Sequence, residues 1–147
     1  MSTTTDGLRL RAEDADDLAV ISSVLQDALV PLADMVHLSE ERRFVMVVNR
    51  FRWEQEADGG RRKREPAERV HAMLSIHRVR RVRMRGLGRR PRTEIQALLG
   101  LVPGEDRIDM EFSGGGTIRV EVDAIDAALA DLGEPWPTRY RPSHPED

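Results

Sequence analysis

The stretch that decides the fold runs from Arg107 to Gly133, RIDMEFSGGGTIRVEVDAIDAALADLG. Ile108, Met110 and Phe112 alternate with Asp109 and Glu111, and after the glycines Ile118, Val120 and Val122 alternate with Arg119 and Glu121. Period-two patterning on either side of a glycine run predicts two half-buried antiparallel strands joined by a turn. Opposing Phe112 to Ile118 places Met110 against Val120 and Ile108 against Val122 on one face. On the other face Glu111 then meets Arg119 favourably, and Asp109 meets Glu121 unfavourably. Past Val122 the period changes. Asp123 has the chemistry of an N-cap, Asp126 stands at the capping-box position, Ile125, Leu129 and Leu132 form a helical stripe, and Gly133 followed by Pro135 supplies a stop. A short C-terminal helix lying on the sheet is expected.

Working towards the N-terminus, Ile95 to Leu101 fits both periods, and the alternation of Ile95, Ala97, Leu99 and Leu101 favours a strand. Val70, Ala72, Leu74 and Ile76 alternate with polar residues. Val79 breaks that parity and Val82 and Met84 restore it, so a bulge or sharp bend should split one long strand in two, with Gly86 and Gly88 ending it. Ala33 to Leu38 and Arg43 to Trp53 read as a hairpin around Ser39 to Arg42. Its second strand is apolar on both parities and should be covered on both faces. Leu18, Ile21, Leu25 and Ala28 make a helical stripe within Asp14 to Leu29, with Asp14, Asp16 and Asp17 at the positive end of the helix dipole, so an N-terminal helix is the expected second cover. Residues 54–68, EQEADGGRRKREPAE, form a charged loop without periodicity.

These elements amount to an α+β domain over residues 1–134, followed by a Pro-rich tail over 135–147 that Trp136 and Tyr140 pin to the surface. The domain is a strongly bent antiparallel sheet of about seven strands with an N-terminal and a C-terminal helix, an order of elements that resembles the pleckstrin-homology-like roll. At 147 residues one domain is expected. Cysteine is absent, which removes disulfides, thiolate nucleophiles and cysteine-ligated metal sites. With no signal-like start and no stretch near 18 apolar residues, a cytoplasmic protein without a membrane span is expected.

NRFRWE at Asn49 to Glu54, FSGGGTIRVEVDAIDAALADLG at Phe112 to Gly133 and WPTRYRP at Trp136 to Pro142 carry a resemblance to a bacterial family of small proteins classed as a domain of unknown function. The resemblance spans Leu8 to about Pro142. It implies a single domain and carries no activity.

The net charge of −3 hides a strong segregation. Residues 61–92 hold thirteen Lys and Arg against two acids, a net of +11, leaving ten basic and twenty-four acidic residues elsewhere, a net of −14. Arg78, Arg80, Arg81, Arg83, Arg85, Arg89 and Arg90 are the candidate anion-binding residues, preceded in the loop by the RRKR run at 61–64. If Arg81, Arg83 and Arg85 share a face they form a ladder at roughly 6 to 7 Å, close to the spacing of phosphates along a nucleic-acid strand. No aromatic is interleaved, which disfavours base stacking. The SGGGT run is a hairpin turn rather than a phosphate loop, since a P-loop needs Gly-Lys-Ser/Thr opening a helix and these glycines open a strand. His71 and His77 lie on one strand parity roughly 20 Å apart, too far to share an ion. Neither a metal site, a cofactor nor a catalytic constellation is expected. The sequence favours a non-enzymatic binding module with a protein partner or a second copy of itself, and RNA or another phosphate backbone as the alternative ligand.

Overall fold

The structure, a computed structural model, describes residues 7–53 and 67–138. In chain order the elements are β1 (Arg9–Ala12), α1 (Ala15–Val24), β2 (Leu29–Pro31), β3 (Met35–Leu38), β4 (Arg43–Phe51), β5 (Ala67–Ile76), β6 (Val79–Arg85), β7 (Ile95–Pro103), β8 (Arg107–Phe112), β9 (Thr117–Val122) and β10 (Ala127–Thr138). The strands form one sheet in the order β1-β10-β5-β4-β2-β7-β8-β9-β6, with β3 paired to β4. Every pairing is antiparallel.

The expected bend after Ile76 is present. Arg78 adopts φ +58°, and the register with β9 shifts between Val79 and Arg81, so Arg80 is an extra residue on its strand. The neighbouring strand turns the same corner, where the Asp123 amide donates to the Arg78 carbonyl at 3.1 Å and the His77 amide to the Asp126 carbonyl at 2.8 Å. Two long strands, β5–β6 and β9–β10, therefore bend side by side and wrap the sheet around one core. Phe44, Met46 and Val48 from β4, Leu74 and Ile76 from β5, and Ile108, Met110, Ile118 and Val120 from β8 and β9 all belong to that core. Each such side chain, removed from water, contributes about 1.5 to 3 kcal/mol before conformational entropy is charged against it.

The fold class differs from the α+β roll of seven strands and two helices: among the described residues ten strands stand with one α-helix, α1, and the expected C-terminal helix is the strand β10. The run AALADL has high intrinsic helix propensity, but tertiary pairing outweighs a preference of tenths of a kcal/mol per residue. β10 lies between β1 and β5 and pairs with both. Its inward positions follow period two: Ala127 is fully buried, Leu129 is 1% exposed, and Asp131 comes next. Asp131 grips Arg50, itself fully buried on the inward parity of β4, through Nε to Oδ1 and Nη2 to Oδ2 at 2.8 Å each. The carboxylate also accepts the Leu8 amide at 3.0 Å. Leu132, which the helical stripe assigned to the core, is 39% exposed. Gly133, with φ +72°, sits in an irregularity of β10 rather than at a helix end. Positions 135–138 of the expected tail are the end of that strand, with Trp136 opposite Arg69 and its ring 4.7 Å from His71. Tyr140 and the rest of the tail lie outside the described residues.

The N-terminal helix is real but shorter than Asp14 to Leu29. Asp14 caps it by accepting the Asp17 amide at 2.8 Å, Leu18, Ile21 and Leu25 are fully buried, and it ends at Val24. Asp27 then takes φ +63° and donates its amide to the Leu98 carbonyl, which turns the chain into β2. α1 lies beside β1 and β7 on the core side, with Ser22 Oγ accepting the Leu101 amide at 3.0 Å. It does not cover the outer face of β4, where Val45 and Val47 stay half-exposed.

The β8–β9 hairpin forms in a register two residues away from the expected one. Gly115, at φ +92°, donates to the Phe112 carbonyl, and the Phe112 amide donates to Gly116, leaving a three-residue loop. A turn that ends in a left-handed residue is the usual geometry for that length. Met110 consequently meets Ile118, and Ile108 meets Val120. A shift of two preserves every face. It also replaces the unfavourable Asp109 and Glu121 opposition by Asp109 against Arg119. Residues 95–103 form the strand β7, as the alternation favoured.

Candidate functional site: an arginine face on an edge strand

β6 ends the sheet, paired along one side with β9. Val82 and Met84 stand opposite Val120 and Ile118, both fully buried, so they project to the core side; Arg81, Arg83 and Arg85 share the outer face. The ladder of the sequence reading therefore exists, spaced at roughly 6 to 7 Å. Opposite these arginines β9 presents Glu121, Arg119 and Thr117, and beyond them β8 presents Arg107, Asp109 and Glu111.

The charges alternate. Arg83 contacts Glu121 at 3.2 Å, Arg119 donates to both oxygens of Asp109 at 2.9 and 3.1 Å, and Thr117 donates to Glu111 at 3.2 Å. The Asp109 carboxylate stabilises the Arg119 cation and raises its pKa above the ordinary value. Arg83 directly opposes Arg119, a like-charge pairing that is unfavourable by itself and that the two carboxylates offset. Arg81 and Arg85 are exposed, and among the described residues neither has a carboxylate within salt-bridge distance. A shallow depression of about 300 Å³ opens between Arg83, Arg85, Glu111 and Arg119.

A family model described as a protein of unknown function, DUF2948, matches residues 8–144. The chain belongs to DUF2948. The match takes in every strand of the sheet, including the arginine face, and agrees with the resemblance carried by the segments at 49–54, 112–133 and 136–142. Among curated proteins and solved structures, none matches this DUF2948 chain significantly. Among the described residues, no helix is long and apolar enough to cross a membrane, and no group of three or more His, Asp or Glu is placed to hold a metal ion.

The other arginines expected to bind anions are not gathered with the ladder in this DUF2948 fold. Arg78 is the exposed corner residue between β5 and β6. Arg80 turns towards Asp106 and Asp123, 3.4 Å from each. Arg89 and Arg90 lie in the connection from β6 to β7, where Arg90 contacts Glu94 at 2.8 Å. The RRKR run at 61–64 lies outside the described residues. At the corner, the hydrogen bond from Arg42, opposed in part by burial and assisted by the charges of Arg42, Arg80 and Arg78, holds the Asp123 carboxyl below its ordinary pKa. A folded-state pKa depressed in this way stabilises the corner above the ordinary carboxylate range, and that contribution is lost as pH falls through the depressed value.

Sequence reasoning missed Arg119 as a member of the basic face, because the pairing of β6 with β9 that sets it opposite Arg83 leaves no local mark in the sequence. It also missed Arg50 and Asp131. The signal for Arg50 was its place on the inward parity Phe44, Met46, Val48, Arg50, since a buried guanidinium demands a buried acid.

Proposed function

We propose that the protein is a non-enzymatic interaction module whose binding face is the outer side of β6 and β9 and whose partner is an acidic protein segment. The observation carrying this reading is that Arg81 and Arg85, free of carboxylates among the described residues, flank an Arg83 and an Arg119 already held in place by Glu121 and Asp109. Exposed ion pairs contribute on the order of 0 to 1 kcal/mol to folding, so stability gives little reason for such a pattern. A guanidinium held by one carboxylate is oriented to receive a second one in its fork.

The same face weighs against a phosphate backbone as the ligand. Asp109, Glu111 and Glu121 lie among the arginines and would stand against a continuous polyanion, whereas a peptide places its charges individually. A second copy pairing through β6 would bring arginine against arginine.

Affinity capture from native extract at about 50 mM salt, where charge attraction is weakly screened, tests the reading when run with and without nuclease. Acidic proteins should be retained after nuclease treatment by the wild type and lost from a variant carrying Arg81→Ala, Arg83→Ala and Arg85→Ala. Recovery of nucleic acid alone, or the same protein set on the variant, would contradict it.

A further inference from the structure

Beside the arginine face runs the free edge of β6, and the direction of its backbone groups follows from the hairpin next to it. The Phe112 amide donates to Gly116 at 2.9 Å, so hydrogen-bonded pairs recur every second residue along β8 and β9: Met110 with Ile118, Ile108 with Val120. Ile118 and Val120 thus direct their backbone groups to β8, and Thr117, Arg119 and Glu121 direct theirs to β6. In β6 the amides and carbonyls of Arg81, Arg83 and Arg85 are accordingly engaged with β9, while those of Val82 and Met84 face the open side. Two further bonds agree with this parity: the Val122 amide turns to the β8 side and meets the Asp106 carbonyl, and the Val79 amide, on the open side, meets the Arg42 carbonyl, each at 2.9 Å. Past Val79 no described strand pairs with β6 on its open side. Met84, on the core side of the sheet, is 49% exposed there.

Resting on the reading of β6 as the face for an acidic partner, we propose that the partner binds as an added β-strand along Arg81–Arg85. Its backbone bonds to Val82 and Met84, its carboxylates at every second position meet Arg81, Arg83 and Arg85 outside, and its intervening apolar residues cover Met84 inside. Strand addition supplies affinity through main-chain bonds and selectivity through alternate side chains, and the alternation on β6 is acid-seeking on one side and apolar on the other. Charged residues on an edge strand also serve to prevent self-pairing. That role accounts for the arginines, since two copies of β6 would oppose their ladders, but not for a bare methionine on the inner side of the same edge. A nucleic-acid strand has no repeating amide and carbonyl pair to match those of Val82 and Met84.

The probes are a heptapeptide alternating glutamate and valine, a block isomer with all its glutamates at one end, and a single-stranded RNA of similar length, each titrated against the full chain at low salt. The alternating peptide should bind at least tenfold more tightly than the block isomer and slow hydrogen exchange of the Val82 and Met84 amides at least tenfold, with little change at Arg83, whose amide is already bonded. An Arg81→Glu, Arg85→Glu variant, altered only at exposed positions, should lose at least tenfold in affinity. Equal binding of the block isomer, or binding without protection of Val82 and Met84, overturns the added strand while leaving an acidic partner in place. Binding of the RNA with neither peptide bound overturns both.

Discussion

Replacing Asp131 with alanine is expected to destabilise the fold by about 3 to 5 kcal/mol, the usual cost of breaking a buried ion pair from one side. Arg50 is fully buried, and the Asp131 side chain is 7% exposed. Removing the carboxylate takes away two charge-assisted bonds at once and leaves the cation in a medium where its hydration is not recovered. It also frees the Leu8 amide, and with it the start of β1. Urea unfolding measures the loss. A double replacement, Arg50→Met with Asp131→Leu, should recover most of it, because exchanging a buried pair for apolar residues of similar volume is often neutral or better. A loss below about 1 kcal/mol for Asp131→Ala would mean that the pair is in effect solvated and that β10 is not held as described.

Leu129→Ala should cost about 2 to 5 kcal/mol, and Leu132→Ala only about 0.5 kcal/mol or less. The two leucines are three residues apart and would share the buried stripe of a helix, making both losses large. On a strand they fall on opposite faces, and they are 1% and 39% exposed respectively. Comparable losses at both sites would return this segment to a helix.

Two segments of the sheet, the β8–β9 hairpin and β10, show how unevenly this sequence discloses its fold. The β8–β9 hairpin is legible because period-two patterning and a glycine turn are local, and the faces of Ile108, Met110, Ile118 and Val120 came out correctly although the register did not. Register was decided by which glycine takes positive φ, and three consecutive glycines carry no mark of that choice. β10 was illegible for the opposite reason. Its local signals, an aspartate cap, alanines and a terminal glycine, agree with one another on a helix and are overruled by β1, β5 and Arg50, all far away in sequence. β1 and β2, at four and three residues, are too short for periodicity to register. Of the site, the ladder Arg81, Arg83, Arg85 was readable from the parity of one strand. Its interleaving with Asp109, Glu111 and Glu121 was not, because that depends on pairing partners. The interleaving is what turns the argument from a phosphate backbone towards an acidic peptide.

The claim that the outer side of β6 and β9 is the binding face is tested most directly by following arginine Nε–H resonances while an acidic polypeptide such as polyglutamate is titrated into the full chain at about 50 mM salt. The account predicts the largest shifts at Arg81 and Arg85, smaller ones at Arg83 and Arg119, whose guanidiniums already hold carboxylates, and loss of all four effects at high salt. Shifts centred instead on Arg9 and Arg11 of β1, with Arg81 and Arg85 unmoved, would contradict it.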